Sequence, residues 1–287
     1  MKRLLLLLLL LLLCGWLAGT ALADGPRSAT APVEASMLVT GTIVVAPDGS
    51  VSSYAVDHPE KLPSGVLEII GNTLPRWKFK PILHNGEPIM AKATMSLRIV
   101  ARELAGKNFA VSVQSASFGT DAPGESITYI SRFQPKYPYD AVASRVSGTV
   151  YLLLKVGRQG RVIDAAAEQV NLGVIGPPEL MKRWRDELAK ASLIAARKWT
   201  FKLPTSGVQV DYPFWYARIP VTFTLSPGGH PWSEAYGHWM GYVPGPREVI
   251  PWLDQAHLAL GSADAVPDGG IEPLGSGLQL TSGLKGS

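Results

Sequence analysis

Two hydrophobic periods alternate along this chain. Met37 to Val45 is apolar and β-branched, and it closes at Ala46-Pro47-Asp48-Gly49-Ser50, where Pro presets φ and Gly permits positive φ, so a hairpin is expected with Val51 to Val56 as its return strand. From Ser64 to Leu74 the period changes, with Val66, Ile69, Ile70 and Leu74 at helical spacing. Trp77-Lys78-Phe79-Lys80 then alternates as a strand does and stops at Pro81, Asn85-Gly86 marks a turn, and Ala91 to Arg102 reads as a long strand carrying Met95, Leu97 and Ile99 on one face.

The same order returns downstream. Gly148-Thr149-Val150 begins a strand as Gly41-Thr42-Ile43 does, Gly160 turns it as Gly49 does, and Val162 to Ala167 returns. Pro178 to Lys198 reads as a helix, with Pro in the first turn, Glu179 placed favourably against the helix dipole, and an apolar stripe of Trp184, Leu188, Ala191 and Ala195. Trp199-Thr200-Phe201-Lys202 repeats Trp77-Lys78-Phe79-Lys80, Gly207 repeats Gly86, and Ile219 to Leu225 closes the set. The expected fold is α+β: two tandem β-β-α-β-β units, 37–103 and 131–226, each a small antiparallel sheet with one helix on one face. Between them, 104–130 holds a connecting strand from Lys107 to Ser115 whose sheet the pattern does not assign. In 227–287 the composition shifts to an aromatic stretch at Trp232, Tyr236, Trp239 and Tyr242, followed by a Gly- and Ser-rich end expected to be flexible.

Composition supports a β-rich reading. Charged residues are 17%, with 29 Gly and 23 Pro, so a helical bundle is excluded. The net charge of +4 includes Lys2 and Arg3, and without them 25 basic residues face 23 acidic ones, too near balance for nucleic-acid binding without a basic face. Lys2-Arg3, the run Leu4 to Leu13 and Ala21-Leu22-Ala23 make the three parts of a secretory leader over 1–23, followed by a linker over 24–36. This predicts a periplasmic protein. The uncharged stretch Leu4 to Ala23 also approaches the ~20 residues that span a bilayer, so an uncleaved inner-membrane anchor facing the periplasm is the alternative, and only then is membrane contact expected. Cys14 is the only cysteine and lies inside the leader, so no disulfide framework or cysteine metal site is expected after cleavage.

The second unit resembles the C-terminal periplasmic domain of the TonB family. The resemblance is carried by Gln134-Pro135-Lys136-Tyr137-Pro138 with Ala141, then Gly148-Thr149-Val150, Gly160-Arg161-Val162, and the helix end Ala195-Ala196-Arg197-Lys198-Trp199-Thr200-Phe201. It runs from about Ser131 to Leu225, while the first unit resembles the same domain more faintly, without the Tyr-Pro motif and with a shorter helix. The resemblance implies binding rather than chemistry: the segment before the Tyr-Pro motif lies near where the N-terminal box of an outer-membrane transporter adds as a strand. That points to Arg132, Gln134, Pro135, Lys136 and Tyr137 as partner-binding residues. An exposed sheet edge would supply the affinity through its main chain, and flanking side chains the selectivity. The alternative for Tyr137-Pro138 is a packed lead-in, with Tyr filling a gap. Two departures argue against energy coupling by this chain alone: it lacks the family's long Pro-rich spacer, and Leu4 to Ala23 lacks the histidine of the family's membrane helix.

Catalytic motifs are absent: there is no G-x-S-x-G, P-loop or H-E-x-x-H. Ser282-x-x-Lys285 matches S-x-x-K without its partner motifs, and His230, Glu234 and His238 have helical spacing that Gly229, Pro231 and Gly237 work against. Trp77 and Trp199 read as core rather than as ligand platforms. The expectation is a non-enzymatic protein-binding module, accessory to TonB-dependent outer-membrane transport, with no cofactor and no metal. Its partner is a transporter segment or another envelope protein, and pairing of two copies stays open. The alternative is a structural envelope protein with no transport coupling.

Overall fold

The computed structural model describes residues 33–104, 108–119, 124–207, 209–225, 236–253, 263–275 and 277–284, so the leader lies outside the described residues. The fold is α+β, with mostly antiparallel sheets and few helices. In the first half, β1 (Glu34–Val45), β2 (Val51–Val56), α1 (Ser64–Thr73), β3 (Ile82–His84), β4 (Glu87–Ile89), β5 (Ala91–Glu103) and β6 (Phe109–Gly119) follow one another. Here β1 pairs with β5 along its whole length, β2 lies on the other side of β1, and β6 continues the sheet beyond β5, which assigns the connecting strand. Alternation along β1 sends Met37, Val39, Ile43 and Val45 inward, where they join Val66 and Ile70 of α1 and Met95, Leu97 and Ile99 of β5 in one buried cluster. Helix and sheet bury each other's apolar faces, which is what makes so short a helix stable.

The second half begins with β7 (Thr128–Ser131) and α2 (Tyr139–Ala143). It continues through β8 (Gly148–Gly157), β9 (Val162–Leu172), α3 (Pro178–Ala196), β10 (Thr200–Lys202) and β11 (Phe214–Phe223). The main sheet has the order β9-β8-β11, with α3 packed on β8 and β9 through Trp184, Leu188 and Ala195. Ala191 of the expected stripe is only half-buried; its neighbour Ser192 is buried instead and donates its hydroxyl to the Leu188 carbonyl. Among the described residues no helix is long and apolar enough to cross a membrane.

The short strand after each helix does not join the main sheet of its half. The long partners β1–β5 and β8–β11 pair directly, leaving no place between them. Lys78 and Thr200 instead bridge to the hairpins at Ser50 and Arg161. The outer sides of these short strands are taken up elsewhere: β10 pairs with β7, and Phe79 pairs with Leu280. Trp77 and Trp199 are both buried beneath them.

The largest difference from expectation lies after Leu225. The Gly- and Ser-rich end is packed rather than flexible where it is described: Ala265, Val266, Leu274 and Leu278 are buried. Gly and Pro shape a path over the two sheets, and isolated apolar residues anchor it. β12 (Met240–Tyr242) pairs with the start of β1, β13 (Glu272–Pro273) pairs with β11, and Tyr236 donates its hydroxyl to the Asp57 carbonyl, so this part of the aromatic stretch packs on the first half.

Candidate strand-docking site

The segment leading into the second half is built in two layers. Alternation from Ile127 into β7 turns Ile127 and Tyr129 inward and leaves Ile130 69% exposed. The Tyr129 ring meets Trp199 edge-on at 6.0 Å and lies 5.3 Å from Phe201, so the strand is held by aromatic packing as well as by its ladder to β10. Burial pushes the Tyr129 hydroxyl up to about 12, against the opposing pull of Arg132. After Ser131 the chain runs through Tyr137 with no assigned secondary structure, and the Trp199 indole N–H donates to the Phe133 carbonyl at 2.8 Å.

The five expected partner-binding residues divide by direction. The Arg132 guanidinium faces inward, 5.7 Å from the Tyr129 ring centre and 5.6 Å from that of Trp199. Gly269 approaches it so closely that a Cβ there would lie 2.3 Å from Nη1. Tyr137 also faces inward. Its hydroxyl donates to the Val146 carbonyl at 2.6 Å, its ring meets Phe223 at 5.1 Å, and burial pushes its pKa up to about 12. This is the packed lead-in geometry, and Pro138 then caps α2. Gln134 and Lys136 are exposed, Pro135 is half-buried, and Phe133 is 52% exposed beside them. Between Arg132 and Tyr137, among the described residues, the Phe133 carbonyl is the main-chain group that finds a hydrogen-bond partner. Among the described residues β7 likewise pairs on one side alone.

Other edges of the second half are covered by the chain itself. Val243 and Leu172 exchange both main-chain hydrogen bonds, at 2.7 and 3.1 Å, and the Glu248 N–H donates to the Glu168 carbonyl, so the outer side of β9 is lined. On the far side of β11, the Gly269 N–H donates to Pro220, the Leu274 N–H to Tyr216, and Asp268 accepts from the Thr222 N–H. The outer β7 edge and its continuation to Tyr137 are left without such cover by the described residues. Ile130 and Phe133 were not singled out in the sequence; the alternation Ile127-Thr128-Tyr129-Ile130 was the available signal.

The remaining polar chemistry is used internally. Arg218 is fully buried and gives Glu168 two hydrogen bonds, at 2.8 and 3.1 Å, while Arg247 binds the same carboxylate from the exposed side. Glu272 of β13 lies 3.9 Å from Arg218, yet its pKa is pushed up to about 7, because burial outweighs the pull of a guanidinium already shared with Glu168. A cleft of about 740 Å³ between the sheets is lined by Thr40 and Arg98 from one side and Tyr151, Asn171 and Thr222 from the other. Its Arg98 donates to the Asp264 carbonyl. Among the described residues no group of three His, Cys, Asp or Glu could hold a metal ion. His230, Glu234 and Lys285 lie outside the described residues, and the Ser282 hydroxyl accepts from the Lys78 N–H.

No protein-family model matches this chain, and no curated protein matches it.

Proposed function

We propose that this chain is a periplasmic protein-binding module that docks an extended partner segment by strand addition along residues 128–137. The observation that carries this reading is the outer edge of β7, unpaired among the described residues, together with its continuation to Tyr137, where the Phe133 carbonyl alone of the main-chain groups finds a partner among them. Ile130 and Phe133 supply exposed apolar contacts, and Lys136 an exposed cation, for a partner segment that carries apolar residues. In this reading Gln134 and Lys136 touch the partner, whereas Arg132 and Tyr137 hold the strip in place from behind.

The tandem arrangement and the TonB-like character of both halves belong to the same proposal. They are supported by local matches: Gly49 and Gly160 have φ of +81° and +68°, each receives on its carbonyl the N–H of a phenylalanine, Phe79 or Phe201, and the residue two before each phenylalanine is a buried tryptophan. The partner is then an N-terminal segment of an outer-membrane transporter. The chain acts as an accessory to transport rather than as an enzyme, and the leader pattern of residues 1–23 supports a periplasmic location.

A second reading, a structural envelope protein without transport coupling, is favoured by the tail's cover over both sides of the β9-β8-β11 sheet. Titrating isotopically labelled protein with transporter N-terminal peptides separates the two. Docking predicts amide shifts confined to 128–137, and no shift there at about millimolar peptide, a binding free energy near −4 kcal/mol, counts for the structural reading.

A further inference from the structure

The strand-accepting geometry beside Trp199 has a counterpart beside Trp77, and there the resident strand comes from the other end of the described chain. In the second half Tyr129 lies opposite Phe201, and the carbonyl four residues later, of Phe133, accepts the Trp199 indole N–H. In the first half Leu280 lies opposite Phe79, and the carbonyl four residues later, of Leu284, accepts the Trp77 indole N–H at 3.1 Å. The ladder is completed by Lys80 N–H to the Gln279 carbonyl at 2.9 Å, Thr281 N–H to the Lys78 carbonyl at 2.8 Å, and Lys78 N–H to the Ser282 hydroxyl at 3.1 Å. Leu278 is buried and Leu280 and Leu284 are partly buried in the cluster that also holds Trp77, Phe79 and Phe118.

We propose that the edge Trp77–Lys80 is a second strand-accepting site, that the chain's own segment 277–284 occupies it as an exchangeable resident, and that the strand it takes in exchange is uncharged and extended, with large apolar residues at i, i+2 and i+6. The pattern is that of Leu278, Leu280 and Leu284, with uncharged polar residues and Gly between them. Recognition runs through the main chain of Lys78 and Lys80 and the Trp77 indole, groups that accept any strand of suitable spacing. The resident is joined to this edge across 203 to 207 residues and holds no helix or long strand of its own, so it can leave without unpairing β1 from β5. This inference does not rest on the docking strip at 128–137.

The test uses the full chain and a synthetic peptide of residues 277–284. Leu280→Asp places a carboxylate against Phe79 and weakens the resident; Thr281→Pro removes the N–H that Lys78 receives and serves as the second variant. Both variant chains should bind the peptide at least about tenfold more tightly than the intact chain, the effect of about 1.4 kcal/mol of lost competition. The Trp77 indole proton should return to its intact-chain position at saturation while that of Trp199 stays unmoved. Equal affinity for intact and variant chains overturns the proposal, as does binding that moves Trp199 and the amides of 128–137 instead. If neither variant folds, hydrogen exchange in the intact chain decides. The amides of Lys80 and Thr281 should exchange through a smaller opening than that of Phe79, which is bonded to Gly49, and equal protection of all three refutes an exchangeable resident.

Discussion

The edges beside Trp77 and Trp199 present the same hydrogen-bonding problem and receive different solutions. At Trp199 the opposing strand is β7, the first strand of the same half, stiffened by Tyr129 and by the Arg132 guanidinium over two rings. At Trp77 it is a Leu- and Gly-containing segment 207 residues further on, packed against Phe79 and Phe118. An indole N–H and the strand edge beside it require a partner but do not specify which part of the chain supplies it. Geometry recurs while connectivity does not, and the half whose strand arrives from afar is the one whose edge can be exchanged.

The sharpest break in the comparison comes from the tryptophans themselves. Trp77→Ala and Trp199→Ala each remove a fully buried indole and should cost about 3 to 5 kcal/mol in denaturant unfolding. Similar costs support equivalent positions. A cost below about 1 kcal/mol at either site would show that its neighbourhood collapses around the loss and that the two are not equivalent.

Much of this frame was legible in the sequence because it depends on period. The hairpins, α1, α3, the long closing strands and the buried tryptophans follow from alternation, helical spacing and the turns at Gly49 and Gly160. What could not be read was partner choice. Nothing in Trp77-Lys78-Phe79-Lys80 says that Leu280 lies opposite, since the ladder uses main-chain atoms that every sequence carries. The tail misled for a related reason: its Gly and Pro content suits disorder, but Leu274 and Leu278 need only two pockets to anchor it. At the proposed docking strip the sequence did not show the inward turn of Arg132 and Tyr137, which depends on Tyr129, Trp199 and Phe223, all distant from the Tyr-Pro motif or on other strands.

The tail also carries a charge into the interior, and this makes its cover of β11 sensitive to pH. The folded-state pKa of Glu272 is raised from 4.5 to about 7 by burial. Below pH 4.5 both folded and unfolded chains hold the proton, and this group contributes no difference. Between 4.5 and about 7 the folded chain retains a proton that the unfolded chain has released, so stability falls as pH rises, and above about 7 the loss is complete. The full loss is about 3 kcal/mol. Glu272→Gln should remove this dependence: its unfolding free energy should match the wild type near pH 4 and exceed it by pH 8. Parallel pH curves for the two proteins would show that Glu272 ionises freely.

A smaller effect tests whether the two hairpins are equivalent. Gly49 and Gly160 both have positive φ, and a Cβ at either would lie 2.1 Å from a main-chain oxygen, of Phe79 or of Phe201. Alanine at either position should therefore cost about 2 kcal/mol, from the left-handed backbone and from pushing the short strand away. The readout that sharpens the comparison is local. Gly49→Ala should loosen the Thr281 amide, whose acceptor Lys78 sits on the displaced strand, whereas Gly160→Ala should leave Thr281 protected and loosen the ladder of β10 to β7. Loss of protection in both places from either variant would mean the halves open together.

The smallest effect on stability is expected where the effect on binding is largest. Gln134 is exposed, and its N–H has no partner among the described residues, so Gln134→Pro removes no hydrogen bond among them. Proline also suits the extended backbone before Pro135, so the change in unfolding free energy should stay within about 0.5 kcal/mol. An added partner strand would lose that donor and meet the ring, and sheet edges tolerate Pro on their solvent side because no ladder forms there. Peptide affinity at 128–137 should consequently fall by about tenfold, the price of roughly one main-chain hydrogen bond within a short ladder. The Tyr137 hydroxyl bond to Val146 and the Trp199 bond to Phe133 bracket the site, so unchanged signals from both rings would show that the strip keeps its place. Full affinity with those rings unmoved would exclude the Gln134 main chain from the docking ladder.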